Sequence, residues 1–591
     1  MDRPHDGTTV SEPESAIVVP DAESHEGRPS TGERLVAWGS RLRPSWKGLS
    51  AYLLFQVLAF AIWVVPILHR FNRQHLGAGL QDSRYNQWAL SWTPFAISHG
   101  LNPLHMGYLF PPTGVDLAWS TFLPGPALAT WPVTSLFGPM ASLNLLMAAA
   151  PALAAWGAYL VCYRLTHRFW ASLLGGYLFG FTAYMAGNAI GFVNLMLVFP
   201  IPLLVYLVIR RVEGSLGPVA FVAGSAALLV GLFSISTEMF GTATIFGAFA
   251  FAGSLAFGKE IRGRLLHTGG LILVAGGVAA VVLSPYLYDV VANRPATPFY
   301  PPDLMAAPDL WSFIVPPPYI RLGGDALLPL LSRHTVHPVT NGLGYVSVAI
   351  PVMLIGFAIT ERRRRTTWAL LSFVAFVALL ALGPVLHVGG SPHGWLPESL
   401  LANAPIIQSA TPARFLAYSS LAIGVIAALW LSRAAGPNAW IRWAVVITAA
   451  VLLLPAAPNH APPQVIPQFF SSGEVRQVLR QREIVYAITD AKGDEVLWQA
   501  TANYWFDLAQ GYIGPLPLDL RTGPLSGGLS MRRDVFPPYP KQFRTWLQGH
   551  GVSSVIVDDR AREKYGSLLV RAGFGQVYAG QGVSVWRPPA T

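Results

Sequence analysis

The sequence predicts a polytopic α-helical membrane protein, with about eleven transmembrane helices and a small extracytoplasmic α/β domain at its C-terminus. Three observations carry that expectation. Of 591 residues, 52% are hydrophobic and only 12% charged, about half the charge of an ordinary soluble domain. The apolar residues gather in runs of about 20, the length that crosses a bilayer. From about residue 458 the runs stop, and β-rich pieces alternate with helix-like ones.

Composition also excludes some functions. The net charge of +10 does not point to nucleic acid, because the basic residues sit in short clusters beside apolar spans and form no stripe on one domain. The single cysteine, Cys162, lies inside an apolar run. It allows neither an intramolecular disulfide nor a multi-thiolate metal site, and fits a small buried apolar role. The 19 Trp and 20 Tyr suit anchoring at the membrane interfaces.

Residues 1–49 are polar and lack the apolar core of a signal peptide, so they read as a disordered tail. Arg34, Arg41, Arg43 and Lys47 precede the first span and place the N-terminus in the cytoplasm. Arg70 and Arg73, just after that span, oppose this reading but are outnumbered.

The expected spans are 50–68, 139–163, 169–187, 189–209, 217–237, 239–258, 265–288, 342–360, 367–386, 413–431 and 438–457. The segment 121–136, TFLPGPALATWPVTSL, is apolar but broken by Pro124, Pro126 and Pro132. If it crossed, Arg164, Arg168 and every later basic cluster would fall outside. If it lies in the interface, those clusters fall inside: Arg210 with Arg211, Lys259 with Arg262 and Arg264, the arginines at 362–365, and Arg433 with Arg442. The domains then read as a tail (1–49), a transmembrane domain (50–457) and an extracytoplasmic domain (458–591). The outer loops are 69–138, 289–341 and 387–412. In the last domain, strands are expected at 484–488, 495–499, 553–558 and 582–586, and helices at 472–482, 539–549 and 560–572.

The outer loops hold the residues able to do chemistry. Asp82 is the first carboxylate after the first span, followed by Arg84, Trp88 and Trp92, with Asp116 later in the loop. An enclosed carboxylate beside the membrane serves as a general base toward a hydroxyl; a loop aspartate paired with Arg84 is the other reading. Glu238, in FSISTEMFG, stands at the outer end of a span. Ionisable groups at membrane depth usually face polar cavities, and snorkelling to the interface is the alternative. Loop 289–341 is too long for a bare connector and carries Asp303, Asp309, Arg321, Arg333, His334 and His337. The two histidines lack further ligands at metal spacing, so no metal site is expected. Anion binding by Arg321, Arg333, His334 and His337 and contact with lipid head groups both remain open. Arg414, in IIQSATPARF, opens a span on the outer side, where snorkelling also accounts for it.

These residues fall within a longer pattern. Trp-x-Leu-x-Trp at 88–92 and Gly-Leu-Asn-Pro at 100–103 follow the early Asp. Leu-Phe-Gly-Pro stands at 136–139, Phe-Pro-Ile-Pro-Leu at 199–203 and Pro-Asp-Leu-Trp-Ser-Phe at 308–313. Asn-Gly-Leu-Gly-Tyr at 341–345, Pro-Ala-Arg-Phe at 412–415, Trp-Gln-Ala at 498–500 and GQGVSVW at 580–586 complete it. In this order the motifs resemble the bacterial, actinobacterial-type GT-C membrane glycosyltransferases over about 50–590. The resemblance implies transfer of a sugar from a polyprenyl-phosphate carrier to a glycan, lipid or protein acceptor outside the cytoplasmic membrane. By position, Asp82 would be the general base. Asp116, Glu238, Asp303 and Asp309 are further acidic candidates for catalysis or acceptor binding. Arg84, Arg321, Arg333, His334, His337 and Arg414 would hold the carrier phosphate. No cofactor is expected, with a divalent cation left open. The pattern departs at Gln81, where many members have a second acidic residue, and at 187–194, GNAIGFVN, where related sequences often have histidines. A lipid or glycan flippase and a non-catalytic envelope scaffold are the alternatives. Against the flippase, no repeat relates the two halves.

Overall fold

The computed structural model describes residues 46–293, 308–334, 340, 342–400, 410–457, 460–491, 493–513 and 540–589. Most of the expected tail, together with Asp303 and His337, lies outside them. Residues Lys47–Thr591 form one compact unit, and the protein is a multi-pass membrane protein.

Among the described residues, eight helices are long and apolar enough to cross a membrane: Trp46–Arg70, Pro139–Thr166, Val193–Val212, Pro218–Ile235, Thr237–Phe257, Lys259–Val282, Gly342–Glu361 and Pro412–Ser432. Helix is the form such runs take, because lipid offers no hydrogen bonds to the backbone. Shorter apolar helices fill the other expected places, at Phe169–Gly180, Arg365–Ala381 and Ala439–Leu452. The first helix starts at Trp46, before the expected boundary at 50. It widens to π geometry over Phe60–Val64 and then tightens to 3-10 geometry over Val65–Arg70, where Pro66 supplies no amide for an i→i−4 bond.

Segment 121–136 forms two short helices, Pro124–Ala129 and Trp131–Phe137. At 1.5 Å per residue each spans about 10 Å, far less than the roughly 30 Å of a bilayer core. Their prolines sit in the first turns, where a missing amide costs least.

Two expected spans, 169–187 and 189–209, depart from continuous helix. Phe169–Gly180 and Pro200–Val212 are regular, but between them the chain makes two short turns of helix, Ala183–Asn188 and Val193–Met196. Nearly all of 181–199 is buried, the condition under which irregular backbone is tolerated at the membrane. The regular half of the first packs tightly on Leu416–Ser432. A Cβ on Gly175 would lie 2.6 Å from the Gly424 carbonyl, so only glycine allows this approach.

The C-terminal region folds as a five-stranded sheet: β1 (Ile484–Ile488), β2 (Asp507–Leu508), β3 (Ser554–Asp558), β4 (Gly575–Gly580) and β5 (Val583–Arg587), in the order β2-β1-β3-β5-β4. β1 runs parallel to β2 and β3, while β5 is antiparallel to β3 and β4. Helices Pro540–Gly549 and Asp559–Arg571 match the sequence expectation. The expected strand at 495–499 is instead the helix Asp494–Thr501. Glu495 to Gln499 are all buried, so no period separates strand from helix there. The left-handed Gly493 and the two acidic residues of the first turn favour the helix. The expected helix 472–482 shrinks to Val475–Val478.

Candidate active site

The site begins where the first span ends. Asn144, buried in the Pro139–Thr166 helix, organises the chain that follows. Its Nδ2 donates to the carbonyls of Phe71 (2.7 Å) and Gln74 (2.8 Å), and its Oδ1 accepts from the Leu76 amide (2.9 Å). The chain then runs against the irregular segment 188–192. The Ala78 amide bonds the Ile190 carbonyl at 3.0 Å, and a Cβ on Gly77 would lie 2.1 Å from the Ala189 carbonyl. From the other side come residues 461–464, while Ala456 ties the end of the last apolar helix to Tyr319. The Ala461 amide donates to the Gly77 carbonyl (3.1 Å), the Gln464 amide to Arg73 (2.8 Å), and the Ala456 amide to Tyr319 (2.9 Å).

This clamp aims the helix Gln81–Ser98, whose first turn carries Asp82. Asp82 Oδ1 accepts from Tyr512 Oη at 2.9 Å. Arg84 Nε donates to Asp494 at 2.6 Å and its Nη1 to the Gly79 carbonyl at 2.7 Å. Asn86 donates to the Gly191 carbonyl at 3.2 Å. Tyr85 Oη meets Ser120 Oγ at 2.6 Å, and burial pushes its phenol well above the usual range. Three stacked or tilted rings, Tyr85, Trp88 and Trp92, continue down the helix. They share a core with Trp498, Tyr504 and Phe506 of the C-terminal domain.

Near Arg84 lies His75, fully enclosed. Its Nδ1 accepts from the Gly77 amide at 3.0 Å, so its proton sits on Nε2. That atom is buried with no partner among the described residues, as is His460 Nε2. Burial, then the nearby Arg84 charge, lowers the His75 pKa to about 3, so the ring is neutral at physiological pH.

The second charged centre is Glu238 with Arg414. Arg414 Nη1 reaches both Glu238 oxygens at 3.0 Å, and its guanidinium lies 5.9 Å from the Phe192 ring centroid. Segment 191–192 therefore touches Asn86 on one side and Arg414 on the other. Glu238 is neither a lone intramembrane carboxylate nor a solvent-exposed one; it is one half of an ion pair.

The other candidates have local roles. Asp116 accepts from the Ala118 amide at 2.7 Å and from Asn293 Nδ2. Burial raises its pKa, with those two bonds opposing. Trp119 and Tyr286 hold the same loop against the chain at 284–293. Asp309 caps the 3-10 turn Leu310–Phe313 and binds the Gly390 amide at 2.7 Å, tying its loop to the Val385–Trp395 hairpin. Arg321 and Arg333 are exposed, with no ion pair among the described residues. His334 stacks on Trp311 at 6.2 Å. The structure thus groups Asp82 and Arg84 with Asp494 and Tyr512, sets Glu238 with Arg414 across segment 188–192, and holds Asp116 and Asp309 in turns of their own. Asn144, His75, Tyr512, Asp494 and Glu495 carried no sequence motif, although a lone Asn in an apolar run is a signal that intramembrane polarity alone supplies.

No group of three or more His, Cys, Asp or Glu residues able to hold a metal occurs among the described residues. No family model matches the sequence, and no curated protein does. Solved structures are similar. The arabinofuranosyltransferase AftD from Mycobacteria aligns over 92% of this chain and 40% of its own, at 15% identity and a TM-score of 0.55. A mutant of that enzyme aligns at 14% identity and 0.53, over 93% of this chain and 42% of its own. The oligosaccharyltransferase AglB from Archaeoglobus fulgidus, solved with an inhibitory peptide and a dolichol-phosphate, aligns over 92% of this chain and 74% of its own, at 12% identity and 0.48. The chain spans about two fifths of the length of AftD. Its helical body, first-loop helices and C-terminal sheet together have the fold of the GT-C membrane glycosyltransferases.

Proposed function

We propose that this protein is a glycosyltransferase that moves a sugar from a polyprenyl-phosphate donor to a cell-envelope acceptor on the outer side of the cytoplasmic membrane. The N-terminus is cytoplasmic in this reading, and the C-terminal domain outside. The acceptor is a glycan, lipid or protein hydroxyl. Asp82 takes its proton, the acceptor oxygen bonds the anomeric carbon, and the bond from that carbon to the phosphate oxygen breaks with inversion. Polyprenyl phosphate leaves with the electron pair. Arg321 and Arg333, exposed and outside any ion pair among the described residues, are the cations proposed to meet the phosphate. Arg84 and Arg414 are already matched by Asp494 and Glu238.

The observation that carries the reading is the first turn of the Gln81–Ser98 helix. There the first carboxylate after the first span is tied by Tyr512 to the C-terminal domain. A base so placed meets a donor whose tail stays in the bilayer. The test uses purified protein with labelled polyprenyl-phosphate sugars and the Asp82→Asn variant. Transfer should fall by about 10²–10⁴-fold when the base is lost. Transfer at the wild-type rate would remove Asp82 from the mechanism.

A further inference from the structure

The Asp82 carboxylate and the Arg84 guanidinium are both held from outside their own loop. Tyr512 donates to Asp82 at 2.9 Å and Asp494 accepts from Arg84 at 2.6 Å. Both partners leave one edge of the C-terminal sheet. Asp494 follows β1 and Tyr512 follows β2, and these strands are parallel neighbours, so their carboxyl ends open on the same side. Glu495 links the two exits. Its Oε2 accepts from the Gly493 amide and its Oε1 from the Tyr512 amide, each at 2.9 Å.

Glu495 and Asp494 are buried, at 6% and 7% exposure. A buried carboxylate is costly, and one that binds two backbone amides fixes the spacing of the loops it joins. Docking alone does not call for this arrangement. The ring core of Trp88, Trp92, Trp498 and Tyr504 already joins the domain to the first loop. Backbone and side-chain bonds also join the domain to residues 107–110: the Phe110 amide donates to the Leu508 carbonyl (2.8 Å), and the Leu508 amide and Gln499 Nε2 donate to the Tyr108 carbonyl (2.9 and 2.8 Å). Beyond these docking contacts, Tyr512 and Asp494 engage the two charged side chains in the first turn of the Gln81–Ser98 helix.

We infer that the C-terminal domain completes the catalytic centre, with Tyr512 as the positioning residue for Asp82 and Asp494 as the counter-charge that keeps Arg84 from weakening it. The inference rests on the reading of Asp82 as the base. A hydroxyl donated to Oδ1 fixes the rotation of the carboxylate and favours its ionised form. Asp494 neutralises the guanidinium two residues away, which otherwise weakens Asp82 as a base.

The two contacts therefore push the basicity of Asp82 in opposite directions, and this separates positioning from mere packing. The experiment compares Tyr512→Phe and Asp494→Asn with wild type in two measurements. One is the pH dependence of kcat/KM for transfer from a polyprenyl-phosphate sugar. The other needs no turnover: infrared titration of the Asp82 carboxyl, isolated by subtracting Asp82→Asn. Tyr512→Phe should move the acid limb and the infrared midpoint up by about one pH unit, and Asp494→Asn should move both down by a similar amount. Midpoints that coincide with wild type in both variants, or shift the same way with a general loss of thermal stability, would overturn the inference. Tyr512→Phe keeps the ring, so it reports even if Asp494→Asn folds poorly. If wild-type protein transfers no sugar, the transferase reading fails, and the infrared midpoints still decide whether Tyr512 and Asp494 act on Asp82.

Discussion

Arg84 and Asp494 stand 410 positions apart and meet at 2.6 Å. Around that pair the first loop and the C-terminal domain become one structure. The Arg84 side chain is 22% exposed and that of Asp494 9%, so the pair is largely withdrawn from water. Burial raises the Asp494 pKa and the Arg84 charge opposes the rise.

Removing one partner should cost more than removing both. Asp494→Ala leaves Arg84 largely buried and without its counter-charge, at a cost of about 2 kcal/mol. Arg84→Met with Asp494→Leu should recover much of that loss. Thermal unfolding in detergent, together with limited proteolysis between the two parts, checks both. Equal losses in the single and double variants would show that the pair contributes nothing beyond packing.

His75 makes stability depend on pH. Its folded pKa of about 3 lies far below the unfolded value of 6.5. Between these limits the unfolded chain binds more protons, so stability is complete above about pH 6.5 and falls as pH drops. The loss is about 1.4 kcal/mol per pH unit. Melting temperatures of wild type and His75→Gln should therefore converge as pH falls from 7 to 5. Parallel curves would mean that the ring is already hydrated.

Gly77 is needed for its lack of a side chain. A Cβ there meets the Ala189 carbonyl at 2.1 Å and Ile190 backbone at 2.8 Å, and neither can yield without moving segment 188–192. Gly77→Ala should cost about 1–3 kcal/mol and reduce transfer, since that segment also supports Asn86. Gly217→Ala, with nothing near its Cβ, should change stability by less than about 0.5 kcal/mol. Melting curves of the two variants give the comparison.

Glu238 and Arg414 form a pair with side chains 20% and 16% exposed. Glu238→Ala should destabilise by about 2 kcal/mol, and Glu238→Ala with Arg414→Ala by less than the sum of the singles. A double-mutant cycle by thermal unfolding measures the coupling. Additive losses would mean that the two charges act independently.

Much of the site was legible as residue types and little of it as geometry. Asp82 stood out as the first carboxylate after the first span, and Glu238 as an ionisable group at a span end. That Arg84 pairs with Asp494 and Arg414 with Glu238 was not legible. Such partners come from distant parts of the chain, and neither charge patterning nor periodicity reports on them. The same holds for Tyr512, one tyrosine among 20, which acquires meaning only through its 2.9 Å bond to Asp82.

Apolar run length by itself determined the helical membrane body, because in lipid each backbone group must be satisfied within its own segment and the signal is local. The placement of the basic clusters, together with the three prolines of 121–136, determined that this segment does not cross, and β-rich composition marked β1, β3 and β5. Only the tertiary structure decided the rest. Segment 181–199 leaves regular helix where the first loop packs against it, and 494–501 forms a helix although residues 494–499 are buried all round. The spans, the first loop and the C-terminal sheet meet at Asp82 for the same reason. Contacts between residues hundreds of positions apart depend on packing in three dimensions, of which a one-dimensional pattern carries no trace.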